Sequence, residues 1–383
     1  MMMGAISPFR EASRPMIQPD ELKHDEPLLW SAGTGTEVWR MFCAAIAGDL
    51  PTIEALVAKN PAIAECHYHY RTPLYFAVRE NQLEVARFLL ARSDPLRMAY
   101  NDSFLDVARD RGHTEMEKLL VEHLAKKQNA SPKGEPVAAA IRGRDLPKVR
   151  QLLDASPELL HAGDERSCQP IHWAVMTRQI EIIDELLDRG ADINAVRCDG
   201  ARPIHLANGD YFYRGWRDVP KDTVATPQDV LAHLIARGAY VDIWTASHMG
   251  NLHRVTELLD EDPSLANKVS DNYGYYLGSG DPLKNAAANG HMDVVKLLLA
   301  RGADPNLRQE NFAPHGHALY SAVYNGHYEI ARLLLDHGAY PNPEVESSAD
   351  AISIAIMNSD TRMIDLLVSH GAVWNIPVEL AGI

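Results

Sequence analysis

Histidine and tyrosine offer this 383-residue chain the most chemistry, with seventeen of one and fourteen of the other. Two histidine pairs, His67/His69 and His315/His317, stand at i, i+2. On an extended loop that spacing points both imidazoles the same way, as a shared metal would need. Neither pair has a third ligand at a fixed spacing, so no metal and no cofactor is expected. Covalent catalysis has no better footing. The sequence contains no GxSxG, no P-loop and no HExxH. Gly33-Thr34-Gly35-Thr36 is rich in glycine but lacks the lysine that a phosphate loop places on its ligand. Asp260-Glu261-Asp262 reads as a solvated helix end, not as the separated acid/base pair of a glycosidase. No catalytic residue is therefore expected, and the chain is not expected to be an enzyme.

The aromatic residues carry a different signal, because many fall in loops. Tyr68 and Tyr70 lie in one irregular stretch, Tyr273, Tyr275 and Tyr276 in a second, and Phe312 in a third. Binding surfaces are enriched in Tyr, Trp and Arg, whereas a solvated loop has little use for rings. These six residues are expected to anchor a partner, with Arg308 and His315 adding polar contacts. Tyr211, Tyr213 and Trp216 form a further cluster in NGDYFYRGWRDVPKDTVATPQ, residues 208–228. They either form a second surface or pack their own segment down. The three tyrosines around Gly274 have little to pack against locally.

The chain's bulk properties narrow the partner. A formal charge of −15 argues against a nucleic-acid backbone or an anionic membrane as the main partner, and favours one with a basic patch. Four cysteines, Cys43, Cys66, Cys168 and Cys198, show neither zinc-knuckle nor disulfide-framework spacing, as expected of reduced thiols in the cytoplasm. No apolar run is long enough for a membrane helix. Met1 to Arg10 has no apolar region of the leader type.

The elements that must position these loops are legible in Asp281 to Asn306, DPLKNAAANGHMDVVKLLLARGADPN. Asp281 suits an N-cap and Pro282 the first helical position. Leu283, Ala286 and Ala287 give a short helix a close-packing face, and Asn289-Gly290-His291 ends it. Val294, Val295, Leu297, Leu298 and Leu299 make a second helix, which Gly302 stops. So short a pair cannot bury both faces alone and must stack on copies of itself. The apolar ends of such second helices recur at Val57, Leu90, Leu120, Leu153, Leu187, Ile235, Leu259, Leu299, Leu335 and Leu367, ten units with a spacing near 33. The opening signature returns as Thr72-Pro73-Leu74-Tyr75, Gln169-Pro170-Ile171-His172 and Arg202-Pro203-Ile204-His205. The closing one returns as Arg189-Gly190-Ala191-Asp192-Ile193-Asn194 and His337-Gly338-Ala339-Tyr340-Pro341-Asn342.

On these motifs residues 37 to 383 resemble the ankyrin-repeat family, with residues 1–36 as an N-terminal extension anchored through Leu28-Leu29-Trp30. The resemblance implies an all-α solenoid of about ten helix-turn-helix repeats with β-turn fingers. It also implies that His172 and His205 bridge neighbouring fingers, and that a protein or peptide is bound in the groove beside them.

The departures from the period are as informative as the period. The sixth repeat carries the insertion at about 208–228. In the seventh, Asp242 runs straight into the next helix, so a finger is missing. Long fingers follow at 270–280 and 309–317. Three repeats close on a proline, Pro61, Pro157 and Pro263, instead of Gly-Ala-Asp, which predicts a block of three repeats used three times with one repeat to spare. The expected function is a non-catalytic, cytoplasmic, monomeric scaffold that binds a protein or peptide. The alternative is a small-ligand- or carbohydrate-binding protein, or an enzyme, with a pocket walled by the aromatic loops.

Overall fold

A computed structural model describes residues 17–28, 31–69, 71–92, 104–128, 130–164, 167–197, 199–209, 224–270, 276–309, 316–343 and 350–374. Within them ten helical pairs follow one another. The first five are α1 Gly35–Ala47 with α2 Leu50–Lys59, α3 Pro73–Arg79 with α4 Leu83–Arg92, α5 Phe104–Asp110 with α6 Thr114–Gln128, α7 Glu135–Arg142 with α8 Leu146–Ala155, and α9 Pro170–Met176 with α10 Ile180–Asp188. In the sixth pair the first member is only a 3-10 turn, Pro203–Leu206, partnered by α11 Pro227–Ala236. The last four are α12 Ile243–His248 with α13 Leu252–Glu261, α14 Pro282–Ala288 with α15 Met292–Ala300, α16 His317–Tyr324 with α17 Tyr328–Asp336, and α18 Ala351–Met357 with α19 Thr361–Ser369. No strand occurs among the described residues, only isolated bridges. The all-α solenoid of ten repeats is the architecture expected from the repeat spacing.

Local chemistry sets each boundary. Thr72, Asp242, Asp281 and Asp350 cap first helices by accepting a backbone N–H three residues on. The turn between the two helices needs one left-handed residue. Glycine supplies it at Gly48, Gly250, Gly290 and Gly326, but Arg144 (φ +58°) and Arg178 (φ +54°) take it without that freedom. Both arginines bond forward into the next repeat, Arg144 Nη2 to Thr177 O (2.8 Å) and Arg178 Nε to Ala207 O (2.8 Å), which offsets the backbone cost. The residue after the turn bonds backward. Gln82, Gln179, His291 and His327 each donate to a carbonyl near the end of the preceding first helix, that of Ile46, Ile141, His248 and Ala288 respectively. Those carbonyls have no intrahelical partner, so each of these four turns caps its neighbour.

An asparagine ladder ties the fingers. Asn306 Oδ1 accepts the Tyr340 N–H (2.6 Å) while its Nδ2 donates to Gly338 O (2.7 Å). Asn267 makes the same pair of bonds to Asp304 and Gly302, and Asn342 to Val373 and Gly371. Asn306→Ala is expected to cost about 1–2 kcal/mol, two net hydrogen bonds, measured as a lowered urea midpoint.

The buried side chains fall into three clusters. One runs from Leu22 to Leu124, one from Val137 to Ala239 and one from Ile243 to Ala372. The first two clusters each span one predicted block of three repeats, and the last joins the third block with the repeat to spare. Each block opens with a helix pair followed by a five-residue 3-10 turn, Pro61–Glu65, Pro157–His161 or Pro263–Asn267. At the N-terminus the residue wholly inside the first cluster is Leu22, with Leu28 only partly covered. Leu29 and Trp30 of the expected anchor lie outside the described residues.

Candidate functional site

Leu277 belongs by sequence to the third block, yet it is buried among residues of the second, with Tyr276 packed beside it. The reason is the missing finger. The ladder runs from Asn194 to Tyr240 and resumes at Asn267, leaving a gap where Asp242 opens α12 directly. The finger of the next repeat fills it. Ser270 N–H donates to Gly280 O (3.0 Å), and Gly280 N–H to Ser270 Oγ (3.0 Å), closing the root of the loop. Its far limb reaches back, so that Leu277 N–H donates to His205 O (3.1 Å).

Tyr276 completes the strap. Its hydroxyl donates to Asp199 Oδ2 (2.7 Å) and accepts from Arg197 Nη2 (2.6 Å), while its ring lies 5.3 Å from the guanidinium carbon. Arg197 is buried and grips Asp199 through two nitrogens, Nε to Oδ1 (3.2 Å) and Nη2 to Oδ2, with Nη1 on Cys168 Sγ (3.1 Å). Burial works to raise the Asp199 pKa, but the charge and hydrogen bonds of Arg197, with the Tyr276 hydroxyl, outweigh it and hold it at about 2. Tyr276 thus spends its hydroxyl within the scaffold, which corrects the expectation that all three tyrosines have nothing nearby to pack on.

The histidines at the ends of the opening signatures are bridges. His172 Nδ1 accepts the Gln169 N–H, which leaves the proton on Nε2 to donate to Ala195 O (3.0 Å) in the next finger. His205 repeats the arrangement with Arg202 N–H and Asp242 Oδ2 (2.8 Å). Burial, then the charge of Arg197, pushes the His172 imidazole down to about 3, so it stays neutral.

The two long fingers share a root. Asp281 Oδ1 caps α14 and its Oδ2 accepts from Gln309 Nε2, while Gln309 Oε1 pairs with His317 Nδ1 (3.2 Å). Burial raises the Asp281 pKa to about 6. Burial, then the charge of Lys284, lowers His317 to about 3. The described roots of the two long fingers thus share one hydrogen-bonded base, and Tyr273, Tyr275, Phe312 and His315 belong by sequence to those fingers. Those four residues, with Tyr70, Tyr211, Tyr213 and Trp216, lie outside the described residues. Arg308 is exposed at the edge of the same base. Tyr68 sits apart in the first block, half-buried in a tight hairpin with Arg71, its hydroxyl donating to Glu21 (3.3 Å). His67 and His69 do not lie on an extended loop as the shared-metal reading needs, and His315 of the second pair lies outside the described residues. Burial pushes His67 down to about 4, its neighbour His69 is exposed at φ +45°, and His317 is the first residue of α16. Among the described residues no group of three His, Cys, Asp or Glu could hold a metal, and no helix is long and apolar enough to cross a membrane.

Exposed apolar side chains that the loop-based reading missed line the last repeats. Tyr324 (58% exposed) and Met357 (75%) end the packed helices α16 and α18, and Tyr324 stacks on Tyr320 at 6.0 Å. Tyr240 (44%) and Tyr340 (50%) project beside the asparagine ladder. Only their helical register, apolar residues at the outward end of a first helix, could have marked Tyr324 and Met357 in the sequence. An open cleft of about 610 Å³ lies elsewhere, against α1 and α2, lined mainly by polar and charged residues such as Asp25, Thr36, Glu37, Arg40 and Lys59.

Comparison with known proteins agrees with this geometry. Family models described as ankyrin repeats match residues 104–197 and 243–345 in one form and 41–90 in another, together more than half of the chain. The chain is 28% identical over 181 residues to the ankyrin repeat protein nuc-2 of Neurospora crassa, covering 46% of this chain and 15% of that one. Over 307 residues it is 24% identical to the ankyrin repeat and KH domain-containing protein mask-1 of Caenorhabditis elegans, 70% of this chain and 11% of the relative. It is 30% identical over 203 residues to the probable E3 ubiquitin-protein ligase XBOS32 of Oryza sativa subsp. japonica, 45% of this chain and 39% of that protein. The chain thus spans well under half the length of each of these relatives. The stacked pairs, the bridging histidines and the matching models together place the chain in the ankyrin-repeat family, whose repeats generally mediate contacts between proteins and are typically non-catalytic.

Proposed function

We propose that this solenoid is a cytoplasmic, monomeric, non-catalytic scaffold that holds a protein or peptide in its concave groove, on the first-helix row and finger edge of the last four repeats. The observation that supports it is the exposure of large side chains on rigid elements of this part of the stack, Tyr240 and Tyr340 beside the asparagine ladder and Tyr324 and Met357 at the ends of α16 and α18. Large rings and a methionine left in solvent on rigid elements are what partner surfaces use. Tyr273, Tyr275, Phe312, His315 and Arg308 extend that surface from the loops, and Tyr68 and Tyr70 belong to a separate finger. Nucleic acid and membrane are not its partners in this reading, given the formal charge of −15.

The test is affinity capture from the native organism with wild-type and Tyr324→Ala/Met357→Ala chains, read by mass spectrometry. Binding of the captured protein is expected to weaken about 10-fold or more, while each exposed truncation changes stability by no more than about 0.5 kcal/mol. A double variant that captures the same partner equally well would overturn the assignment of this face.

A further inference from the structure

Tyr240 stands where the seventh repeat lacks its finger, 44% exposed, its backbone N–H held by Asn194 Oδ1 (2.8 Å). Two guanidinium groups from neighbouring repeats flank its ring. The central carbon of Arg202 lies 5.1 Å from the ring centroid, and that of Arg254 lies 5.7 Å away. Arg202 precedes the 3-10 turn Pro203–Leu206, where its backbone N–H donates to His205 Nδ1 (3.1 Å). Arg254 belongs to the first turn of α13, with its own N–H on Asn251 Oδ1 (3.0 Å). Both backbones are thus fixed, and attraction to the ring holds the two side chains beside it.

A guanidinium carries five N–H donors. Arg254 spends Nε on Val241 O (3.2 Å) and Nη1 on Glu257 Oε2 (3.1 Å). Arg202, half-buried, spends none of its five. Among the described residues its side chain makes no hydrogen bond and no ion pair, only the contact with the Tyr240 ring. The carboxylates closest in sequence are engaged elsewhere. Asp199 is held by Arg197 and the Tyr276 hydroxyl, while Asp242 takes the His205 Nε2 proton on Oδ2 (2.8 Å) and the Thr245 N–H on Oδ1 (2.8 Å). Their charges temper the field at Arg202 but leave its donor fork open.

An open guanidinium fork matches a carboxylate in the plane of both groups and gives two parallel charge-assisted bonds. An arginine already stacked on a tyrosine loses little freedom on binding, and such residues dominate the energetics of interfaces. We propose that Arg202 is a specificity position of this docking face and receives the side-chain carboxylate of an Asp or Glu in a partner peptide. Arg254 adds its charge, and the exposed part of the Tyr240 ring carries the aliphatic stem of the same residue. The cluster suits a carboxylate better than a phosphate. A phosphate brings nearly two charges and calls for several full cations, whereas Arg254 already shares its charge with Glu257. The overall acidity of the chain slows the approach of such a peptide but does not alter the contact itself.

This inference rests on the docking reading of the same face, and the test separates the two. Short random peptides displayed on phage are selected on the full chain at neutral pH. Wild type is expected to enrich Asp or Glu at one fixed position, and Arg202→Glu to move that position to Lys or Arg. Replacing the acidic residue of an enriched peptide by its amide should weaken binding to wild type about 10–100-fold, a measurement that does not depend on any variant folding. The same replacement should have little effect on Arg202→Ala, and Arg202→Lys should recover only part of the affinity, because an ammonium cannot take both oxygens in parallel. Phosphoserine in place of the acidic residue is expected to bind no tighter, and a gain of more than about 10-fold would overturn the carboxylate assignment. Enriched peptides that bind Arg202→Ala as well as wild type, yet lose affinity for Tyr324→Ala/Met357→Ala, would sink the role of Arg202 and leave the docking face standing. Failure to enrich any peptide on wild type would overturn the docking reading itself.

Discussion

Asp199→Ala is expected to destabilise the chain by about 3–5 kcal/mol, the cost of leaving a buried guanidinium without its carboxylate. Arg197 is enclosed on all sides and has no route to water, so it cannot relax by reaching solvent. The loss should be local as well as large. Asp199 and Arg197 hold Tyr276, and Tyr276 and Leu277 are what the third block contributes to the core of the second. Repeat arrays are stabilised by nearest-neighbour interfaces, so weakening one interface uncouples the units on either side. Hydrogen exchange should show residues 137–239 opening before residues 243–372 in the variant. Tyr276→Phe keeps the ring and removes only the hydroxyl, and should cost about 1 kcal/mol. Equal losses from the two substitutions would show that the hydroxyl, and not the ion pair, carries the junction.

Acid should unfold the protein through its neutral histidines. His172 and His317 have folded values of about 3, and His67 and His248 of about 4, all from burial first, against an ordinary value near 6.5. A depressed folded pKa means the unfolded chain binds the proton first, so the stability is complete above pH 6.5 and is lost as pH falls towards 4. By linkage each such histidine costs about 2 kcal/mol by pH 5. Asp281 has the opposite sign. With its folded value raised to about 6, the folded state takes up the proton first, and acidification from pH 7 to 5 returns about 1 kcal/mol. Four histidines outweigh one aspartate, so the urea midpoint should drop steeply between pH 6.5 and 5. His172→Gln should flatten that slope, because glutamine can donate to Ala195 O without titrating. An unchanged midpoint across this range would show that the imidazoles reach water.

Much of the architecture was legible because it repeats. The caps at Thr72, Asp242, Asp281 and Asp350 are local chemistry, and a spacing near 33 exposes the helix pairs whatever lies between them. The three prolines predicted blocks, and the buried clusters divide where the second and third blocks begin, the spare repeat joining the third. His172 and His205 were assignable as bridges only through the resemblance of their motifs to the family's opening signature. The proposed docking face was legible only in part. Loop aromatics stand out in composition, whereas Tyr324 and Met357 look like any helical apolar residue until the stack shows which end of each helix it leaves uncovered.

The sequence by itself determined the repeat, its number, its block structure and the places where it breaks, because each depends on residues close together in the chain. Only the tertiary structure decided what fills the break. The missing finger of the seventh repeat is replaced by Tyr276 and Leu277 reaching back to Arg197, Asp199 and His205, partners more than seventy residues away. No periodicity encodes such a contact. It exists because a gap between stacked repeats leaves buried polar and apolar groups exposed, and the nearest segment long enough to cover them is the extended finger next door.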